Sequence, residues 1–191
     1  DSMLNSINGS TSAATQMLKA KVSKTGYENT DKSSEDLQNA IDKLAGKKST
    51  VFKDARESKD TSKVTAAAQE LIDKYNSLVE VMSKTSSSLD EFYKKALKGL
   101  PKSIKESLEK VGITYNSDGT LEVDSDKLKK ADVDSLEKIF GSDSEFMKKL
   151  SFVTDRIESN AEANLQSVSS TYSSTADIMS SFNSSKYDFL G

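Results

Sequence analysis

The stretch VTAAAQELIDKYNSLVEVM, residues 64–82, has the most regular apolar spacing in the chain. Apolar residues recur at intervals of four and three positions, at Val64, Ala68, Leu71, Tyr75, Leu78 and Met82. This spacing places all of them on one face of an α-helix, and sustained heptads of this kind are typical of helix–helix seams. Ile72 and Val79 widen the face, which favours a bundle over a two-stranded coil. The stretch therefore predicts a core helix in a mainly α protein.

The same register continues beyond residue 82, at Thr85, Leu89, Phe92 and Ala96. The segment SKTSSSLDEF, residues 83–92, is poor in helix formers, so we expect a break there, with Ser87 or Ser88 capping the second part. Gly99 and Pro101 then predict the end of this helix, with a short helix following over residues 101–112.

A second heptad pattern begins near residue 144, where Ser142 or Ser144 is the expected N-cap, and continues to about residue 180. We expect the helices over about 61–98 and 144–180 to be the two long antiparallel helices of an elongated bundle. Near the start, the polar stretch SKTGYENTDKSS, residues 23–34, indicates a loop. Ser33 or Ser34 would then cap a helix that stops at Gly46.

The segment GITYNSDGTLEVDSDKL, residues 112–128, does not have a helical pattern. Gly112 is the expected stop of the preceding helix, and Asp118-Gly119 supplies the positive φ that a tight turn requires. The flanking residues ITY and TLEV then predict a β-hairpin, after which Asp124 or Ser125 caps the next helix. We therefore expect one elongated helical domain, 1–191, that contains a small helix and β-hairpin subdomain, 100–142.

The hairpin sequence was also compared with the EF-hand calcium loop, which needs carboxylates at its first and twelfth positions. An alignment on Gly119 places Thr114 and Ser125 there, so no calcium site is predicted. The chain has no His and no Cys, which excludes the commonest general base and the soft-metal ligands. We expect no catalytic residue, cofactor or metal. A hydrolase that uses carboxylates is the enzymatic alternative.

Charge and hydropathy restrict the partners and the location. There are 27 Lys and Arg against 30 Asp and Glu, and the two signs are interspersed, so nucleic acid is not an expected partner. No apolar run is long enough for a transmembrane helix, and no signal peptide is recognisable. The aromatic motif YDFLG, residues 187–191, has no assigned role.

Four segments, in order, resemble the C-terminal part of the flagellar filament-capping family, also called hook-associated protein 2. They are AAAQELIDKYNSLVEVM (66–82), GITYNSDGTLEVDSDKLKKA (112–131), VDSLEKIFG (133–141) and LSFVTDRIES (150–159). The resemblance extends from about residue 37 to 150. The family's terminal coiled-coil segments are not recognisable here, and its variable outer domains are either reduced to TGYENTDKSS, residues 25–34, or lost.

The resemblance implies a structural, non-enzymatic protein of the flagellum that acts through helix packing and protein–protein contacts. It implies flagellin or other flagellar proteins as partners, together with self-association. It also implies export to the flagellum without a cleaved signal peptide; a cytoplasmic location is the alternative. The alternative function is a secreted helical effector or adhesion module unrelated to motility. The residues expected to carry the packing are Leu71, Tyr75, Leu78, Gly112, Gly119 and Leu121.

Overall fold

The computed structural model describes the backbone of residues 2–85 and 87–190 and the side chains of residues 13–19, 21, 23–85 and 87–168. The motif at residues 187–191 lies outside these side chains. The described elements are α1 (Ser2–Ala45), α2 (Val51–Ser58), α3 (Ser62–Met82), α4 (Ser88–Ser103), α5 (Lys105–Lys110), β1 (Ile113–Tyr115), β2 (Leu121–Val123), α6 (Ser125–Lys130), α7 (Val133–Phe140) and α8 (Glu145–Leu190). The prediction of a mainly α protein with one hairpin is confirmed.

The first and last helices form the long axis of the molecule. They contain 44 and 46 residues, and at 1.5 Å per residue each spans roughly 65–70 Å. Their side chains meet in antiparallel order: the Gln38 amide donates to the Ser151 carbonyl at 2.8 Å, and Asp31 lies beside Glu158. The prediction that residues 61–98 form the long antiparallel partner of the last helix is therefore wrong, because α1 packs along α8 instead.

The predicted loop at residues 23–34 is also wrong, because these residues continue α1. The Thr30 and Ser34 hydroxyls are buried and donate to the carbonyls of Gly26 and Thr30, four residues earlier, at 2.9 and 2.7 Å. Polar side chains that satisfy themselves on their own helix can be buried, so tertiary packing overrides their low helix propensity. Neither Ser33 nor Ser34 is a cap. The predicted stop at Gly46 is confirmed.

The break after α3 lies where the sequence predicts it, and Ser87 caps α4 by accepting a hydrogen bond from the Asp90 amide at 3.0 Å. The continued register beyond the break is wrong. Helix α4 buries Asp90, Leu97 and Pro101, whereas Leu89 and Phe92 are 48% and 65% exposed. Residues 83–85 and 87 are not helical, so α4 does not continue the register of α3 and a different face meets the core.

Helix α4 also continues past Gly99 and Pro101, its predicted end, to Ser103. Pro101 is buried inside this helix although it cannot donate the backbone hydrogen bond of an interior helical position. Two other predicted caps, Asp124 and Ser144, agree with the structure. Asp124 caps α6, Asp132 caps α7 and Ser144 caps α8, each through a side-chain oxygen that accepts a backbone N–H.

A buried carboxylate joins three helices. Asp90 of α4 is 3% exposed, accepts a hydrogen bond from the Tyr27 hydroxyl of α1 at 3.3 Å, and accepts another from the Asn160 amide of α8 at 3.0 Å. Burial, and then the charge of Asp90, raises the pKa of Tyr27, which keeps the phenol protonated as a donor. A buried charge is tolerated only when it is hydrogen-bonded in this way, so the contact fixes how α1, α4 and α8 meet.

Asp90→Ala should lower the free energy of unfolding by about 1–3 kcal/mol, because it leaves Tyr27 and Asn160 without their shared acceptor. Asp90→Asn should recover at least half of this loss, since its amide can still accept from Asn160 and donate to Tyr27. Urea denaturation followed by circular dichroism measures both changes. Equal losses in the two variants would contradict the proposed hydrogen bonding.

The core follows the seam of α3. Leu71 and Leu78 are at most 1% exposed and pack with apolar residues of the neighbouring helices. In the part of the chain that the structure describes, no helix has both the length and the apolar character needed to cross a membrane.

Candidate functional site

The hairpin and helix α3 meet through two consecutive side chains of the YNSL sequence. Tyr75 is 1% exposed, and its hydroxyl donates to the Gly119 carbonyl at 2.7 Å. Burial is the main reason that the pKa of Tyr75 is raised, so the phenol is a permanent donor. Tyr115 adds a second bond from the hairpin, from its hydroxyl to the Lys98 carbonyl at 3.1 Å. The hairpin is thus held on α3 and on α4.

Asn76 makes the more specific contact. Its amide nitrogen donates to the Leu121 carbonyl at 2.8 Å, and its amide oxygen accepts from the Leu121 N–H at the same distance. One side chain therefore satisfies both backbone groups of a buried residue, as a paired residue of a neighbouring strand would. Nearby, the Gln69 amide donates to the Ser125 hydroxyl at 2.6 Å, which extends the contact of α3 to the start of α6.

The turn of the hairpin is built by its own polar residues. The Gly119 N–H donates to the Asn116 carbonyl at 3.0 Å, and the Asn116 N–H donates to the Thr120 carbonyl at 2.8 Å. Gly119 has φ +89°, as the sequence predicts for this turn. Asp118 accepts from both the backbone N–H and the hydroxyl of Thr120, and these bonds lower its pKa. Its carboxylate is therefore occupied in stabilising the turn.

Gly112 connects the hairpin to the helix that follows it. It has φ +89°, and its carbonyl accepts from the Asp124 N–H at 2.8 Å. A Cβ at this position would lie 2.9 Å from the Lys127 Cβ, 3.0 Å from the Asp124 carbonyl oxygen and 3.1 Å from the Leu128 nitrogen. The backbone of α6 approaches so closely that only glycine fits.

The six packing residues named from the sequence fall into two groups. Tyr75, Gly119 and Leu121 meet at the contact between hairpin and helix, and Gly112 lies at the other end of the strands. Leu71 and Leu78 are buried in the seam of α3 instead. Whether these residues matter for function stays a prediction. Sequence reasoning did not single out Asn76, although an asparagine within a core helix, directly after a buried tyrosine, is the signal that could have marked it.

A cluster of carboxylates lies between α1 and α8. One oxygen from each of Asp31, Glu158 and Glu162 lies within 4.8 Å of the others, and Oδ1 of Asp31 is buried without a hydrogen-bond partner among the described residues. Desolvation is the main reason that the pKa values of Glu158 and Glu162 are raised, and the charges of neighbouring carboxylates raise them further. Sequence reasoning missed this cluster because residues 23–34 have the composition of a loop. Exposed acidic groups are common without an ion.

Glu162→Gln should therefore stabilise the protein at pH 7, by roughly 0.2–0.5 kcal/mol, the size of a like-charge pair four residues apart on a helix. A carboxyl whose folded-state pKa is raised binds more protons when folded, so its stability contribution is fully present below the unfolded pKa. That contribution is lost as pH rises through the folded pKa. The benefit of Glu162→Gln should accordingly vanish near pH 4.

Denaturation at several pH values checks this expectation, with the exposed Glu122→Gln on β2 as the matched control. A stabilisation by Glu162→Gln that is equal at pH 4 and pH 7 would mean that charge is not its cause.

A hydrolase that uses carboxylates would need a cavity lined by a buried carboxylate. Five surface cavities of about 210–490 Å³ could be considered for this role. Their acidic lining residues are all exposed or half-buried, so none supplies the buried carboxylate that the interpretation requires. In the cavity of about 410 Å³, Arg56 of α2 already pairs with Asp134 at 2.7 Å and with Glu137 at 3.0 Å, both on α7.

Comparison with known families adds one match. The sequence model described as flagellar hook-associated protein 2 C-terminus matches residues 86–189, more than half of the chain. The matched segment contains α4 to α7, the complete hairpin and all of α8 except Leu190, whereas α3, with Tyr75 and Asn76, precedes it. No curated protein and no solved structure matches the chain.

Proposed function

Since the chain belongs to the flagellar hook-associated protein 2 C-terminus family, we propose that it has a structural, cap-like role in the bacterial flagellum and carries out no catalysis. The family match over residues 86–189 is the observation that carries the proposal. The alternative of a secreted effector or adhesion module has no comparable observation in its favour.

The mechanism we propose is mechanical. The paired α1 and α8 act as a strut, and residues 100–142 act as a small subdomain fixed to it through α3. The bonds from Tyr75 to Gly119 and from Asn76 to Leu121 support this role, because they tie the hairpin to the core helix. Leu71, Leu78 and Gly112 would serve the same purpose by keeping the helix surfaces in one arrangement. Partners then meet a preformed surface, which lowers the entropic cost of binding.

The partners we propose are flagellin or other proteins of the flagellum, met outside the cell after export. The absence of Cys from the chain means that no disulfide has to form after export. Binding would use helix surfaces, as bundles and coiled coils do.

Electron microscopy of cells that lack the gene tests the proposal. We expect shortened or missing filaments and reduced swimming, and we expect the wild-type gene to restore both. A strain expressing Asn39→Ala, an exposed asparagine of α1, should behave as wild type, whereas Asn76→Ala should restore less. Normal filaments and swimming in the deletion strain would rule out the role.

A second measurement addresses the partners. The purified chain, immobilised, should retain purified flagellin or another flagellar protein and should not retain an unrelated exported protein of similar charge. Failure to retain any flagellar protein would leave the family membership unaffected but would remove the proposed contact.

A further inference from the structure

Two large apolar side chains on α4 have no covering partner among the described residues. Leu89 and Phe92 are 48% and 65% exposed, lie three residues apart on one helix face, and have Glu91 and Lys95 beside them. The only ring contact described for Phe92 is an edge contact with its neighbour Tyr93, at 5.6 Å between centroids. We call Leu89 and Phe92 the α4 knob. Adjacent exposed residues of this size mark interaction surfaces more often than single ones do.

A second surface on the same chain has the opposite shape. A groove of about 380 Å³ lies between α5, α7 and the start of α8, and its apolar lining consists of Ile104, Val111, Ile139 and Phe146. We call it the α5–α7 groove. It is lined by more apolar than polar surface, unlike the cavity around Arg56. An apolar recess of this kind accepts a bulky apolar side chain.

The charges at the two surfaces are complementary. Lys110 and Lys138 line the groove and have no ion-pair partner among the described residues, and Glu145, its one acidic residue, lies 3.7 Å from Lys148. Beside the knob, Glu91 is exposed and reaches only Lys94, and Lys95 is unpaired within the described residues. Glu91 can therefore face the two lysines of the groove while Lys95 faces Glu145, which favours this pairing over one between two knobs.

The knob and groove of one molecule cannot meet, because Ile104, which directly follows α4, is 12 positions from Phe92 along that helix, roughly 18 Å. We propose that the α4 knob of one copy docks into the α5–α7 groove of a second copy. Such a contact uses different surfaces on the two molecules, so it repeats head to tail and continues beyond a dimer unless its rotation closes a ring. This inference does not depend on the flagellar role.

Sedimentation velocity of the full chain over about 5–500 µM tests the pairing, since the two surfaces are smaller than those of stable dimers. We expect the average mass to rise with concentration beyond that of a dimer. Phe92→Asp and the double variant Lys110→Glu/Lys138→Glu should each weaken association at least tenfold. Phe152→Asp is the matched control: Phe152 is 60% exposed on α8 and lies under Arg156, so this change should leave association unaltered.

A mixture of the Phe92→Asp variant and the Lys110→Glu/Lys138→Glu variant gives the decisive test of the pairing. Phe92→Asp retains an intact groove and the lysine variant retains an intact knob, so together they should form a one-to-one complex that grows no further. A wild-type chain that is monomeric at every concentration would overturn the proposal. Unaltered association of the Lys110→Glu/Lys138→Glu variant would also overturn it and would indicate knob-to-knob pairing. A mixture of the two variants that stays monomeric would overturn it as well. Circular dichroism confirms folding, and Lys110→Ala/Lys138→Ala replaces the reversed charges if these unfold the chain.

Discussion

Asn76→Ala should lower the free energy of unfolding by about 2–5 kcal/mol, although the side chain is only half-buried. The substitution removes the one group that bonds both the N–H and the carbonyl of Leu121, each at 2.8 Å. Leu121 is 4% exposed, so water cannot replace both bonds, and each unsatisfied buried backbone group costs about 1–3 kcal/mol. Alanine is a better helix former than asparagine, which returns only about half a kcal/mol.

Urea denaturation measures the loss, and amide hydrogen exchange localises it. The Leu121 amide should exchange much faster in Asn76→Ala, whereas amides in the middle of α3 should follow global stability. Asn39→Ala, on an exposed face of α1, is the matched control and should change stability by less than about 0.5 kcal/mol. A loss below about 1 kcal/mol in Asn76→Ala would show that the hairpin is held chiefly by its apolar contacts.

Gly112→Ala should cost about 2–4 kcal/mol. Its φ of +89° lies in a region that costs an L-residue about 1–2 kcal/mol. The added Cβ would also press on the Asp124 carbonyl oxygen at 3.0 Å and the Leu128 nitrogen at 3.1 Å. These are backbone atoms of the capped start of α6, so relief of the contact requires the hairpin and the helix to separate.

Two further glycines separate the two causes of this loss. Gly119 has the same φ, but the three atoms nearest to its added Cβ all belong to the flexible side chain of Lys98, so Gly119→Ala should cost about 1–2 kcal/mol. Gly99 is inside α4 with nothing within 4 Å, so Gly99→Ala should stabilise by about 0.5–1 kcal/mol. Thermal denaturation ranks the three variants. An equal loss at Gly112 and Gly119 would mean that backbone strain, and not the contact with α6, dominates.

The hairpin and its neighbours could be predicted because local chemistry determines them. Gly119 has the positive φ that its turn required, Gly112 follows the end of the preceding helix as expected, and the side chain of Asp124 occupies an expected cap. These features depend on residues a few positions apart, so the sequence alone contains the relevant information.

The course of α1 could not be predicted, because its reason is distant in sequence. The polar residues at 23–34 favour a loop locally. They remain helical because Thr30 and Ser34 bond within the helix, and because Tyr27 reaches Asp90, 63 positions away. The prediction of which face of α4 is buried was wrong for a similar reason. A heptad count continues across a break unchanged, whereas the non-helical residues at the break rotate the helix, so Leu89 and Phe92 lie at the surface.

The candidate site also has residues that local sequence identifies and residues whose role depends on distant partners. Tyr75 could be selected because it belongs to the apolar seam, and apolar spacing reports burial. Asn76 was not selected, since a single polar residue on a helix is usually solvated and its partner, Leu121, is 45 positions away. Only its position directly after the buried Tyr75 sets it apart. The α5–α7 groove is formed by elements from three separate segments, and spacing within any one of them gives no sign of it.

Both strands of a two-stranded sheet are edge strands, and their outward-facing N–H and carbonyl groups can pair with a strand of another chain. In many proteins such pairing leads to aggregation. On β2, the outward-facing N–H and carbonyl of Leu121 are such groups, and the amide of Asn76 already occupies both. One asparagine on a helix thus takes the place of a third strand. At this position another chain cannot extend the sheet from β2. Loss of Asn76 would therefore expose a template for disordered association as well as weaken the fold.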